Sequence, residues 1–202
     1  MPNVLILAAH PDLAQSRVTR TLLDVAADLD GVHVRELYRL YPDYAIDVPA
    51  EQQAVSAAQL VVLLHPLHWY SMPALQKLWM DEVLRFGWAY GPGGDALRGK
   101  NLWLVSSTGG AAESYAVDGY NGCPIEDFLL PYAQTARMCG MRFLPPLLLH
   151  GTHRASEAEV ARHAEAFVAG MAQHRSGGPA AAQPEIPLDA RPALFSSLRA
   201  QP

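Results

Sequence analysis

The chain has 202 residues, half of them hydrophobic and 17% charged, with a formal net charge of −5. That length suits one ordinary domain with a well-buried core, and the composition is that of a globular protein. Lys and Arg are scattered and outnumbered by acids, which excludes a nucleic-acid surface.

The longest apolar runs, 60–64 and 144–149, are far short of a membrane span. The first residues lead straight into an apolar run with no basic region and no cleavage site, so no signal peptide is expected. Cys123 and Cys139 form no metal or redox motif, and two thiols in an unsecreted chain suit the reducing cytoplasm.

In chain order, residues 4–8 form a first apolar strand, stopped by His10-Pro11-Asp12. Ser16 caps a helix carrying Val18, Leu22, Val25 and Leu29 on one face, ended by Asp30-Gly31. Residues 32–38 alternate as an edge strand does, with Val32 and Val34 inward and Leu37 a further candidate. A loop rich in Tyr, Asp and Pro covers 40–49, and a short helix covers 51–58. Residues 60–65 are a solidly apolar third strand, ended by Pro66. A helix over 74–86 puts Leu75, Leu78, Trp79, Val83 and Phe86 on one side, and a glycine-rich loop, 91–99, follows. The fourth strand is 101–106. A helix over 124–139 begins at Pro124, where helices accept proline, and buries Ile125, Phe128, Leu129, Tyr132 and Cys139. The fifth strand, 142–149, is broken or bent by Pro145-Pro146. The last helix, 156–171, opens on a capping box of Ser156 and Glu159.

Five strand–helix units call for an α/β fold with a parallel sheet covered on both faces, in the order 2-1-3-4-5. Residues 1–173 form that domain. Residues 174–202, rich in Pro, Ala, Gly and Ser, read as an extended tail that packs on the body, packs on a partner subunit, or stays mobile.

In such a sheet ligands sit at the carboxyl ends of the strands. Three loops leave those ends. The first, from His10 to Ser16, runs into a helix N-terminus, which suits a phosphate. Ser16 and Thr19 add hydroxyls, Arg17 a charge and His10 a ring donor. The second, 66–73, has prolines at both ends and presents Leu67, His68, Trp69 and Tyr70, which suits a flat heterocycle unless the aromatics belong to the core. The third, Ser107-Thr108-Gly109-Gly110, permits close backbone approach, or serves as a plain turn. No dinucleotide or P-loop glycine motif and no nucleophile elbow is present. His65 and His68 lack a partner carboxylate for a metal, and His150 and His153 read as strand-end and loop residues.

The block 65–75, continuing through 77–81 and 86–91, resembles the NAD(P)H dehydrogenase (quinone) family, the flavodoxin-like family of DT-diaphorase. The closer likeness is to its bacterial branch, which includes ancillary oxidoreductase subunits of glutathione-regulated potassium-efflux systems. Ala9-His10-Pro11, 37–43 and 107–110 match further signatures, and the resemblance spans residues 3–172. It implies a flavodoxin-like three-layer sandwich holding FMN, or FAD as in the DT-diaphorases. It also implies hydride transfer from NAD(P)H to a quinone-like acceptor.

Carried over by position, His10, Ser16, Arg17, Val18 and Thr19 would hold the phosphate. Leu67, His68, Trp69 and Tyr70 would line the ring, with Ser107, Thr108, Gly109 and Gly110 closing its other edge. Tyr115 falls at the family's tyrosine. The histidine that partners it falls at Tyr120 or Asn121, so this chain departs from the pattern there; Tyr120 can still donate a hydrogen bond, and His68 is a partial substitute. The resemblance also implies a homodimer with a shared site, its seam near Trp79, Trp88, Tyr90 and the 91–94 loop, though core packing explains Trp79 equally well.

Rival readings are a regulatory subunit on the inner face of the membrane bound to a potassium-efflux transporter, an azoreductase or nitroreductase, a flavodoxin-type electron carrier, and a flavin-free binding module.

Overall fold

The computed structural model describes residues 3–175. Its sheet contains β1 (Asn3–Ala8), β2 (Val32–Glu36), β3 (Ala58–Pro66), β4 (Asn101–Ser107), β5 (Arg142–Phe143) and β6 (Leu147–Leu149). All pairings are parallel, in the order β2-β1-β3-β4-β5, with β6 also on β4. The 2-1-3-4-5 order therefore holds, with one refinement. The fifth strand, expected to be broken or bent at Pro145-Pro146, is two short ones: Arg142 pairs with Asn101 at the start of β4, and Leu147 with Val105 near its end. Pro145 and Pro146 lie between them and offer no N–H to the ladder. The chain swings out and returns, so the end of β6 lies beside the end of β4.

The helices are α1 (Val18–Ala27), the single turn α2 (Leu37–Leu40), α3 (Val48–Ala57), α4 (Ala74–Val83), α5 (Ile125–Met138) and α6 (Glu157–Arg175). Strand side chains alternate between two cores. Val4, Ile6, Leu60, Val62 and Leu64 meet Val18, Leu22, Val160 and Phe167 of α1 and α6. Leu5, Leu7, Val61 and Leu63 meet Val55, Leu75, Trp79, Leu129 and Tyr132 of α3, α4 and α5. Covering both faces is why the central strands carry unbroken apolar runs through their middles.

Several boundaries differ from the sequence reading. The second strand stops at Glu36, because Leu37 turns into α2 and is wholly buried there, while the hydroxyl of Tyr38 accepts the Leu75 N–H at 3.3 Å. Val34 is exposed rather than inward, since β2 is an edge strand with a neighbour on one side only. The helix from Ala74 ends at Val83, so Phe86 leaves its apolar face. It stands 68% exposed, its ring edge-on to Tyr90. α3 begins at Val48, with Asp47 as its cap accepting from the Ala50 N–H. α6 continues to Arg175, and His174, placed in the tail by composition, sets its ring against Trp103 at 5.1 Å. The rest of the proposed tail lies outside the described residues. Among the described residues no helix is long and apolar enough to cross a membrane.

Two buried charges tie the α3 region together. Glu51, fully buried, accepts from Arg35 Nε at 2.6 Å, the Tyr41 hydroxyl at 2.5 Å and Trp79 Nε1 at 2.8 Å. Trp79 is thereby a core residue and not part of an exposed seam. Lys100 Nζ donates to the carbonyls of Ser56 and Ala58 at the α3–β3 junction, and burial pulls its pKa down.

Candidate functional site

The ladder brings four strand ends into line. Ala8 pairs with Leu64, Pro66 with Ser107, and Ser107 with Leu149. The loops leaving β1, β3, β4 and β6 therefore open on one edge of the sheet, where a parallel fold puts its ligand.

The first loop makes a short 3-10 turn, Leu13–Gln15, before α1. Ser16 Oγ accepts the Thr19 N–H at 3.1 Å, so Ser16 does cap the helix, and both residues are buried. The first turn of α1 still directs N–H groups toward the loop. His10 Nδ1 accepts the Asp12 N–H at 3.2 Å. The neutral ring must then carry its proton on Nε2, which makes His10 a donor at that atom. Burial, then the neighbouring His68 whose ring lies 6.3 Å away, hold its pKa below the usual histidine value. His10 also lines a hollow of about 200 Å³ with Glu36, Tyr38 and Arg39. Arg17 turns aside: its Nη2 donates to the Ala155 carbonyl and, at 3.5 Å, to that of Thr152, joining the start of α1 to the approach of α6. A larger groove, about 530 Å³ between β2 and α3, lies away from these loops.

The second loop is a tight hairpin. His68 and Ser71 exchange backbone hydrogen bonds of 2.9 and 3.1 Å across Trp69-Tyr70. Both central residues have positive φ, 49° and 63°. That is the backbone of a primed hairpin turn, a place normally given to Gly or Asn. Trp69 is 92% exposed and Tyr70 is on the surface as well, so neither belongs to the core. Tyr70 stacks on Phe128 at 5.0 Å and donates its hydroxyl hydrogen to Asn121 Oδ1 at 3.2 Å. The Leu67 N–H donates to the Ser107 carbonyl at 2.8 Å and joins this loop to the third.

The third loop is fastened to the segment after β6. Thr108 N–H donates to Leu149, Thr152 N–H to Thr108, and Gly151 N–H to Gly110. Thr108 Oγ1 donates to the Gly110 carbonyl at 2.8 Å and lies 2.9 Å from His150 Nδ1. Side chains at the glycines would collide: a Cβ at Gly109 would come within 2.9 Å of the His153 ring, and one at Gly110 would press on Tyr115. The Tyr115 ring lies 6.0 Å from Phe128 and 5.4 Å from His150. Tyr70, Phe128, Tyr115 and His150 thus form a continuous aromatic wall along the site.

Most of the residues expected from sequence meet at this edge. Tyr120 stands 92% exposed at the rim, while its neighbour Asn121 reaches Tyr70. Sequence reasoning placed Phe128 on the buried face of its helix and read His150 as a strand-end residue, and assigned neither to the site. The one available signal was that His150, like His10 and His65, directly ends an apolar strand run.

A family model described as a flavodoxin-like fold matches residues 2–171. The chain belongs to that family. It is 42% identical over 178 residues, 86% of this chain and 99% of the other, to the glutathione-regulated potassium-efflux system ancillary protein KefF of Klebsiella aerogenes. Among solved structures it is similar to general stress protein 14 of Treponema denticola in complex with FMN, with 39% identity, a TM-score of 0.82 and coverage of 86% and 99%. It is also similar to an NADPH-quinone reductase from P. pentosaceus, with 29% identity, a TM-score of 0.75 and coverage of 82% and 95%.

Proposed function

We propose that the chain is a flavin-dependent oxidoreductase that transfers hydride from NAD(P)H through bound FMN to a quinone-like acceptor. The observation that carries this reading is the meeting of an anion-suited helix start with an aromatic, backbone-rich ledge at one sheet edge. The 39% identical Treponema protein, whose structure contains FMN, supports the cofactor, and the NADPH-quinone reductase supports the reaction class.

The donor set fits the group. His10 Nε2–H, the first-turn N–H groups of α1 at Arg17 and Val18, and the Ser16 and Thr19 hydroxyls offer neutral and partial positive charge to a phosphate. Leu67, His68, Trp69 and Tyr70 bound a flat ring on one side, and Ser107, Thr108, Gly109 and Gly110 on the other. The flavin, when bound, supplies the hydride chemistry. The chain binds and orients: the hairpin at Trp69-Tyr70 fixes one wall, and N–H groups facing the ring favour negative charge on it. The Tyr115 hydroxyl and His68 ring act on the reactant, with Tyr120 donating from the rim. FMN is favoured over FAD by the Treponema protein alone.

A homodimer completes the reading. Trp69, Phe86, Val117 and Tyr120 are exposed apolar or aromatic residues, which a second copy would cover at a shared site. The KefF relationship favours a second role, as an ancillary subunit held at the inner membrane face by a potassium-efflux transporter. The two roles are compatible.

The test is a visible spectrum of the purified protein, with NADPH then added without oxygen, and menadione after it. Flavin bands that bleach and return support the proposal. A protein that stays colourless after FMN and FAD are offered overturns it. Co-purification with a tagged efflux transporter tests the second role.

A further inference from the structure

His150 is absent from the set of site residues carried over by resemblance, yet its side chain has a defined proton arrangement. Thr108 has one hydroxyl hydrogen. Its oxygen lies 2.8 Å from the Gly110 carbonyl oxygen and 2.9 Å from His150 Nδ1. Two bare acceptors do not rest at such a distance, and the carbonyl cannot supply a hydrogen. The hydroxyl hydrogen therefore lies toward Gly110, and the hydrogen on the second contact comes from the imidazole. Nδ1 is the protonated nitrogen, and Nε2 of the neutral ring carries the lone pair.

The same contact fixes the backbone. Gly110 O takes the Thr108 hydroxyl together with the Gly151 N–H at 2.8 Å, so the double glycine is tied both to Thr108 of its own loop and to the segment after β6. The imidazole lies against Tyr115, at 5.4 Å and a tilt of 43°. The charged groups facing it are Glu113 from the turn before Tyr115 and Glu126 from α5, both of which favour its protonated form. Burial outweighs them and holds its pKa below the usual histidine value. His153, whose ring packs on Gly109, and Tyr115, whose ring packs on Gly110, are further titratable neighbours of this loop.

We infer that His150 is a positioning residue of the site, holding the 107–110 loop through Nδ1–H and taking up one proton at Nε2 when negative charge arrives on the bound ring. The proton comes from water and returns to it when the charge leaves. The inference rests on the flavin reading for its second half only.

The test uses the full-length protein labelled with ¹⁵N-histidine. Ring nitrogen spectra, assigned by comparison with His150→Asn, are recorded without flavin, with FMN, and with FMN reduced by dithionite. The expected result is the Nδ1–H form of His150 wherever its ring is neutral. Its titration midpoint is expected to rise on reduction by about one pH unit, the scale of one partly screened charge. An Nε2–H form overturns the positioning role, and an unmoved midpoint overturns the proton-holding role.

Two variants separate the halves further. Asn keeps a donor near the Nδ1 position and cannot take a proton, so His150→Asn should bind FMN as the natural chain does while losing the extra proton uptake on reduction, which for a one-unit rise is at most about half a proton per chain. His150→Ala removes the donor and should weaken FMN binding about tenfold, the scale of one buried hydrogen bond. If Asn loses FMN as Ala does, the imidazole serves only packing and the inference fails. If no variant binds flavin and the natural chain does not either, the flavin reading fails. The tautomer then still judges the positioning role alone.

Discussion

Trp69 and Tyr70 show most directly how a residue can be placed against its own preference. A left-handed conformation costs an L-residue with a side chain roughly 1–2 kcal/mol. Here two aromatic residues adopt it in succession, and Trp69 recovers nothing from packing, being almost wholly exposed. Strain held in place without a packing return is a mark of a functional surface. Substituting Trp69→Gly removes the steric cost, and glycine's greater freedom in the unfolded chain takes back part of that gain. The expected outcome is a flavin-free protein more stable by about 0.5–1 kcal/mol in urea unfolding, with FMN affinity lowered rather than raised. Loss of both stability and affinity would mean that Trp69 makes structural contacts after all. The hairpin was not visible in the sequence, because Trp-Tyr is a poor match to the turn it forms. What was visible, the two flanking prolines and the position after a strand, was enough to single the loop out as a candidate ligand wall.

At the scale of elements, strands were easier to read than the contacts that aim them. β1, β3 and β4 are legible because sheets covered on both faces need unbroken apolar runs. The α2 turn was missed because four residues have too little periodicity to register. Glu51 was missed for a different reason. A glutamate in the first turn of a helix normally faces water. Its burial depends on Arg35, Tyr41 and Trp79, contributed by three other segments. The same holds for His150, whose partner Thr108 lies 42 residues away. The Glu51 cluster holds β2, α2, α3 and α4 together just behind the 66–73 loop. Removing one member of a fully buried charge pair costs roughly 3–5 kcal/mol, because the other charge is left unpaired, and the partial exposure of Arg35 brings the cost here toward the lower end of that range. Glu51→Ala should therefore unfold at a much lower denaturant concentration. Glu51→Gln, which can still accept from Tyr41 and Trp79, should lose less. Equal and small losses in both would show that Arg35 reaches solvent without cost. The FMN affinity of whichever variant folds would report how far the α4 N-terminus depends on the cluster.

For the whole molecule, the two cores set an acid limit on stability. His65, at the end of β3, and His163, on α6, are buried on opposite faces of the sheet, and burial pulls both down to about 4 from the ordinary 6.5. A histidine whose folded pKa is depressed stays neutral in the native state while the unfolded chain takes up the proton. Unfolding then binds protons between these two values, so stability rises with pH across the window and falls as pH drops from 6.5 toward 4. A gap of this size corresponds to about 3 kcal/mol per histidine at the acid end, and nothing above pH 7. His163 is the better probe, since it is far from the strand-end loops and packs in the α1–α6 core. His163→Leu keeps the apolar packing and removes the titration. Denaturant unfolding of the flavin-free protein at pH 7 and pH 4.5 should show the natural chain losing about 2 kcal/mol more than the variant on acidification. Carboxylates titrating in the same range act on both proteins and cancel in the difference. Identical losses would mean that water reaches His163 in the native state and that it protonates there as freely as in the unfolded chain.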